Sequence, residues 1–213
     1  AMARGAQLFE AEAVAFDAAG RMVNVRLGDD REIEARYVIP ATGYVLPDIV
    51  QSSVHAVSSS WAIATVPQPD SVWNHGTLIW EDAKDYLYAR TTRAGRIIIG
   101  GEDSAEIVEP DARDHLISEK SAILTRRLAA LWPAARTDIE FRWAGTFGTT
   151  QDGLPLVGPV PGAKGIYAAY GYGGNGITFS FLAARLIGDL IAGQSSPLLH
   201  DFAIDRDGSM AGH

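Results

Sequence analysis

The sequence contains no cysteine. That single absence excludes disulfides, thiolate metal sites and a cysteine nucleophile. Long apolar runs are missing too. The best candidate, Ile177 to Ala192, is interrupted by Arg185 and Asp189, and a membrane helix needs roughly 18 or more apolar residues. No charged-then-apolar leader opens the chain. Instead Ala1-Met2-Ala3-Arg4 runs almost at once into a strand-like pattern, so the start reads as an artificial edge or a cut within a longer chain. Positive charge is the scarcer sign, and the net charge of -8 repels a phosphate backbone. Five histidines, at positions 55, 75, 115, 200 and 213, show no ligand spacing and read as surface or structural residues. The expectation is a cytoplasmic protein without metal, membrane or nucleic-acid partner.

What is present is a chain of 213 residues, 47% hydrophobic, enough for one good-sized core or two small ones. Three strands are expected between Leu8 and Ile39. Val14–Asp17 and Met22–Leu27 flank Ala18-Ala19-Gly20 as a hairpin, Asp29-Asp30 makes the next turn, and Ile33–Ile39 runs into Pro40-Ala41-Thr42-Gly43. A second β-rich block follows: Ser59–Val66, Thr77–Trp80, then Tyr86–Thr92 and Arg96–Ile99 around Arg93-Ala94-Gly95. Alternation along a strand puts Tyr86, Tyr88 and Arg90 on one face. Residues 111–132 read as a helix capped by Asp111 or Asp114, with Leu116, Ile123, Leu124, Leu128 and Leu131 as its buried stripe and Pro133 as its stop. Ile139–Thr146 reads as a strand, and the end from Asp205 onward reads as polar and frayed.

The richest stretch runs from Trp143 to Gly193. A short strand, Gly165–Tyr170, enters Gly171-Tyr172-Gly173-Gly174-Asn175-Gly176-Ile177-Thr178, and a helix then continues to Ile191. Its apolar stripe is Phe179, Leu182, Ala183, Leu186, Ile187 and Leu190, and Gly193 is placed to cap its C-terminus. Glycines remove side chains, so a flat ligand can lie against backbone. The first helical N–H groups lack intrahelical partners and carry the positive end of the dipole. Asn175 suits the N-cap. Such a mouth suits a phosphate or an electron-rich ring edge, and the glycine pattern alone is equally served by a tight turn with no ligand.

Three blocks carry a family resemblance. Trp143-Ala144-Gly145, Asp152-Gly153-Leu154-Pro155 with Gly158, and Gly173-Gly174-Asn175-Gly176-Ile177 resemble the closing segment of the D-amino-acid oxidase, glycine oxidase and sarcosine oxidase superfamily. Val38-Ile39-Pro40-Ala41-Thr42-Gly43 resembles that family's strand beside FAD, and Tyr86–Thr92 with Gly95–Gly101 resembles the hairpin of its substrate domain. Within the family, Gly145 to Gly148 and the Asn175-Gly176-Ile177 loop look most similar to gamma-glutamylputrescine oxidoreductases.

The resemblance implies an α+β fold: a mixed β-sheet substrate domain with a backing helix, plus the C-terminal remnant of an FAD-binding α/β domain. It implies a partial FAD-binding domain over 1–50, a substrate domain over 51–150 and a closing FAD-binding segment over 151–213. It implies non-covalent FAD held by Ala41, Thr42, Gly43, Gly173, Gly174, Asn175, Gly176, Ile177 and Thr178. A small amine or amino acid would be bound by Tyr88, Arg90 and Phe147 and oxidised by hydride transfer to flavin. No catalytic base is assigned.

Departures from the family pattern matter. The G-x-G-x-x-G turn with an acidic ribose partner is not present, so FAD is expected to bind this polypeptide weakly or not at all, and self-association through a cut surface is expected. Phe147 stands where relatives resembling glycine oxidase place a carboxylate-binding arginine, and Gly174 where some place another arginine, which favours an amine without an α-carboxylate or a substrate anchored elsewhere; Arg90 is still available to an anionic substrate. A different class of reading is a catalytically inert module that only packs against a partner. Among bland readings, Trp80, Tyr86, Tyr88 and Trp143 suit a curved sheet core as well as a pocket. Glu102-Asp103 reads as a solvated acidic face, and Asp152 as a turn former.

Overall fold

The computed structural model describes residues 2–50, 52–73, 76–83 and 85–206. His75 and His213 lie outside the described residues. The chain divides into two compact units, residues 1–55 with 150–213, and residues 56–149.

In the first unit, β1 (Ala13–Asp17), β2 (Val23–Leu27) and β3 (Glu32–Ala35) form an antiparallel sheet in that order. Asp17 Oδ1 accepts the Ala19 N–H at 3.0 Å and closes the first turn. β2 alternates as a half-buried strand should. Val23, Val25 and Leu27 face a core shared with Val50, Leu156, Ile166 and Ile204. The expected third strand is shortened: β3 ends at Ala35, and Val38 pairs instead in parallel with Ile166. Pro40 has no N–H to donate, so no ladder continues past Ile39.

β9 and β10 of this unit, Leu156–Pro159 and Tyr167–Tyr170, pair antiparallel. A 3-10 turn, Gly173–Asn175, leads into a 16-residue helix, Gly176–Ile191. That helix buries Ala183, Leu186 and Ile187 against Val157. Its C-terminus is a Schellman motif: Gly193, at φ +80°, donates to Leu190 O, and Gln194 donates to Asp189 O. Asn175 occupies the N-cap but makes no side-chain capping bond. Its φ of -103° and ψ of 29° lie outside the extended conformation from which an N-cap side chain reaches back. Of the end expected to fray, residues 207–213 lie outside the described residues, and Arg206 is anchored. Arg206 is bound through Nε and Nη2 to both oxygens of Asp152, and it also donates to Leu154 O and Pro155 O.

In the second unit, β4 (His55–Thr65), β5 (Ile79–Trp80), β6 (Leu87–Thr91), β7 (Ile97–Ser104) and β8 (Ile139–Thr150) form a sheet ordered β5-β6-β7-β4-β8. One face carries Trp61, Ile63, Leu87, Ala89, Ile97 and Ile99. It packs on Leu124 and Leu128 of a 15-residue helix, Ile117–Leu131. The single expected helix is in fact two, Pro110–His115 and Ile117–Leu131, numbered α1 and α2; the helices beginning at Gly176 and Leu198 are then α3 and α4. At the break, the Arg113 carbonyl accepts from both the Leu116 N–H and the buried Trp61 Nε1, the latter at 3.1 Å. A side chain competing for a helical carbonyl is a recognised cause of such a bend. Glu109, rather than Asp111 or Asp114, occupies the N-cap, because Pro110 starts the helix.

Candidate functional site

The strand-to-helix turn after β10 is built from residues that clear space. Gly171 takes φ +72° and Gly173 φ +53°, values that L side chains rarely adopt. A β-carbon placed on Gly173, Gly174 or Gly176 would meet nothing within 4 Å, so no described side chain crowds these three positions of the turn. Ile177, at its first turn, is 91% exposed.

Beneath this turn the first unit holds a cavity of about 350 Å³. One wall is Pro40-Ala41-Thr42-Gly43-Tyr44, another is Ala168 through Tyr172, and His55 and Ser180 complete it. Ala41, Thr42 and Gly43 are therefore brought to the cavity. The other six residues expected at the cofactor, Gly173, Gly174, Asn175, Gly176, Ile177 and Thr178, border the turn but do not line it; Gly171, Tyr172 and Ser180 do.

Three polar residues of the cavity went unread in the sequence. Tyr170 is 5% exposed, and its hydroxyl is buried without a hydrogen-bond partner. Burial pushes that phenol up to about 12. His55 packs edge-on against it, ring centroids 5.1 Å apart, and burial lowers the imidazole below its ordinary value, favouring the neutral form. Burial also raises Tyr172. His55 and Tyr170 are far apart in sequence, and only the folding of the first unit, to which both belong, joins them. The one available signal was the tyrosine on either side of Gly171.

Tyr88, Arg90 and Phe147 belong to the second unit. Tyr88 and Arg90 lie on β6 facing away from α2, with Tyr88 half-buried and Arg90 exposed. Phe147 is half-buried on β8. Tyr88 lies across its cross-strand partner Gly100, where any β-carbon would collide with the phenol. No group of three or more metal-ligating side chains occurs among the described residues.

A mostly apolar cavity with a few convergent polar atoms, beside a glycine turn that opens a helix, defines a small-molecule or cofactor site. Comparison with known proteins names the class. The family model described as FAD dependent oxidoreductase matches residues 1–190, and the chain belongs to that family. It is 31% identical over 180 residues to gamma-glutamylputrescine oxidoreductase of Escherichia coli K12, covering 77% of this chain and 38% of that protein. It is 25% identical over 207 residues to the probable oxidoreductase OrdL of Haemophilus influenzae, covering 91% of this chain and 44% of that one. Glycine oxidase from Geobacillus kaustophilus shares the fold, with a TM-score of 0.78 at 22% identity over 95% of this chain and 54% of that structure. The chain spans about half the length, or less, of these relatives.

Proposed function

We propose that this chain is part of an FAD-dependent enzyme that oxidises an amine or amino acid, and that the cavity of the first unit receives part of the cofactor. The orphaned Tyr170 hydroxyl carries this reading. A buried hydroxyl without a partner costs about 1–3 kcal/mol. A ligand atom in the cavity would remove that cost. Openness at Gly173, Gly174 and Gly176, and the bare wall at Ala41-Thr42-Gly43, also fit a flat group against backbone.

When bound, FAD would supply acceptance of a hydride from the carbon beside the substrate nitrogen. The chain's own residues do the rest. Tyr170 and a neutral His55 orient polar atoms, the apolar wall excludes water, and the N–H groups opening α3 favour negative charge near the turn. Phe147 and Gly174 place no cation at their positions, which supports an amine rather than an amino acid. Exposed apolar side chains on the first unit, Val45, Ile177 and Phe181 among them, support self-association.

Titration of the chain with FAD, followed by flavin fluorescence, tests the reading. Saturable quenching is expected with a dissociation constant on the order of 1 mM, about -4 kcal/mol. ADP is expected not to compete, because the sequence holds no dinucleotide fingerprint. Absence of saturable quenching would favour the second reading, a packing module without cofactor.

A further inference from the structure

The second unit carries an arrangement that the cofactor reading does not use. In β7, Ile97 and Ile99 face the core against α2, so strict alternation would send Ile98, Gly100 and Glu102 to the opposite face, beside Tyr88. The strand does not keep that alternation. Trp61 pairs with Gly101 while Ser59 pairs with Ser104, so β7 carries one residue more than β4 between these pairs, and this is a β-bulge. At the bulge Gly101 takes φ +140° and Glu102 takes φ +58°, the latter a left-handed conformation unusual for a non-glycine residue.

The bulge exchanges the destinations of two carboxylates. Glu102 turns toward α2 and receives Arg127 Nη1 at 2.9 Å and Lys120 Nζ at 3.3 Å. Arg127 is held in turn by Glu81 at 2.6 Å and by the Asp85 carbonyl at 2.7 Å. Asp103 turns to the tyrosine face. Tyr86 donates its hydroxyl to Asp103 Oδ2 at 2.5 Å, and Asp103 Oδ1 is enclosed without any hydrogen-bond partner. Burial and the adjacent carboxylate together push both the Tyr86 and Tyr88 phenols upward. The rings form a row, Trp80 to Tyr86 at 6.3 Å between centroids and Tyr86 to Tyr88 at 6.5 Å.

Among the described residues, one carboxylate on this strand is thus matched by two cations, and the other, a residue away, by none. Strained backbone is retained where the surroundings over-determine it, and such strain concentrates at functional sites. An enclosed anion with one unpartnered oxygen is a receptor for positive charge: the carboxylate supplies Coulomb attraction and hydrogen-bond acceptance, and the aromatic row that starts at its Tyr86 partner offers cation–π attraction to a cation lying over a ring. We infer that Asp103 and the Trp80-Tyr86-Tyr88 row bind the ammonium group of an organic amine. A carboxylate-bearing group is rejected there by like charge. Trp80, 60% exposed on the two-residue strand β5, is the most open ring of the row. Arg90 is exposed on the same face, and its charge lowers the Tyr88 phenol against the larger upward push of burial.

The inference refines the proposed function by giving its substrate a positively charged group. Its test involves no flavin, so failure here leaves the cofactor reading standing, and failure of FAD to bind leaves this site standing. Calorimetric titration of the chain with n-butylammonium chloride, and separately with sodium butanoate, is the experiment. Saturable binding of butylammonium and none of butanoate is expected. Asp103→Asn, isosteric and uncharged, is expected to weaken butylammonium at least ten-fold. Trp80→Ala, at an exposed position that the fold tolerates, is expected to weaken it about two- to five-fold. Non-saturating butylammonium heats, equal affinity in Asp103→Asn and Trp80→Ala, or equal binding of butanoate would each overturn the assignment.

Discussion

Arg206 and Asp152 form a two-pronged ion pair, Nε to Oδ2 at 2.7 Å and Nη2 to Oδ1 at 2.8 Å, with side chains only 6% and 2% exposed. The pair ties the last described turn to the Asp-Gly-Leu-Pro segment leading into β9. The guanidinium beside it holds the Asp152 carboxyl down to about 2, from an ordinary 3.8. Because the folded value lies below the unfolded one, the stabilisation is fully present above about pH 4 and is lost as pH falls through 2. A depression of this size corresponds to about 2 kcal/mol. Acid titration of the chain by circular dichroism is expected to show this loss between pH 4 and pH 2. Arg206→Met leaves a buried carboxylate without its partner and is expected to cost about 3–5 kcal/mol in urea unfolding at pH 7.

The backbone at Gly101 leads to a second prediction. A β-carbon there would stand 2.5 Å from the Tyr86 carbonyl, and φ is already +140°. Gly101→Ala is expected to destabilise the chain by about 2 kcal/mol or more, because steric overlap and disfavoured backbone add. Gly145→Ala, in β8 with nothing within 4 Å, is the control, expected to change the midpoint little. Chemical denaturation of the two variants checks the difference.

Much of this architecture could be read before any coordinates. The stripe of α3 and its Gly193 cap follow from period and turn chemistry, and the β1–β2 hairpin follows from Gly20 and the flanking alternation. The parts that escaped are those fixed by distant partners. The apolar run predicts β3 as far as Ile39, but the partner strand β2 serves it only as far as Ala35. Asp103 read as one of an acidic pair, since nothing local announces that Glu102 adopts a left-handed conformation and reverses the faces. His55 read as one scattered histidine because its neighbour Tyr170 lies on another element. Arg206 read as part of a frayed tail because a buried counter-ion leaves no mark in local sequence.

His55 provides a third prediction. Burial lowers its imidazole below 6.5, so the unfolded chain binds the proton more readily than the folded one. The sign follows: the contribution is favourable above pH 6.5 and is lost as pH falls through the lowered folded value. Nuclear magnetic resonance titration of the His55 Cε1–H signal is expected to give a midpoint below the ordinary 6.5. His55→Phe is expected to remove this part of the pH dependence.

Tyr170→Phe separates stability from binding. Removing an unpartnered buried hydroxyl is expected to leave the free protein as stable, or to stabilise it by up to about 1 kcal/mol. The same change is expected to weaken FAD about five- to ten-fold, since one ligand hydrogen bond is lost. Thermal melts without and with FAD check both halves.

The most direct measurement follows the ring protons of His55, Tyr170 and Tyr172 by nuclear magnetic resonance while FAD, and separately ADP, is added. If the cavity beside Ala41-Thr42-Gly43 receives the flavin, FAD shifts all three residues along saturating curves and ADP shifts none. Signals that stay fixed with FAD, or that move equally with ADP, would contradict the account.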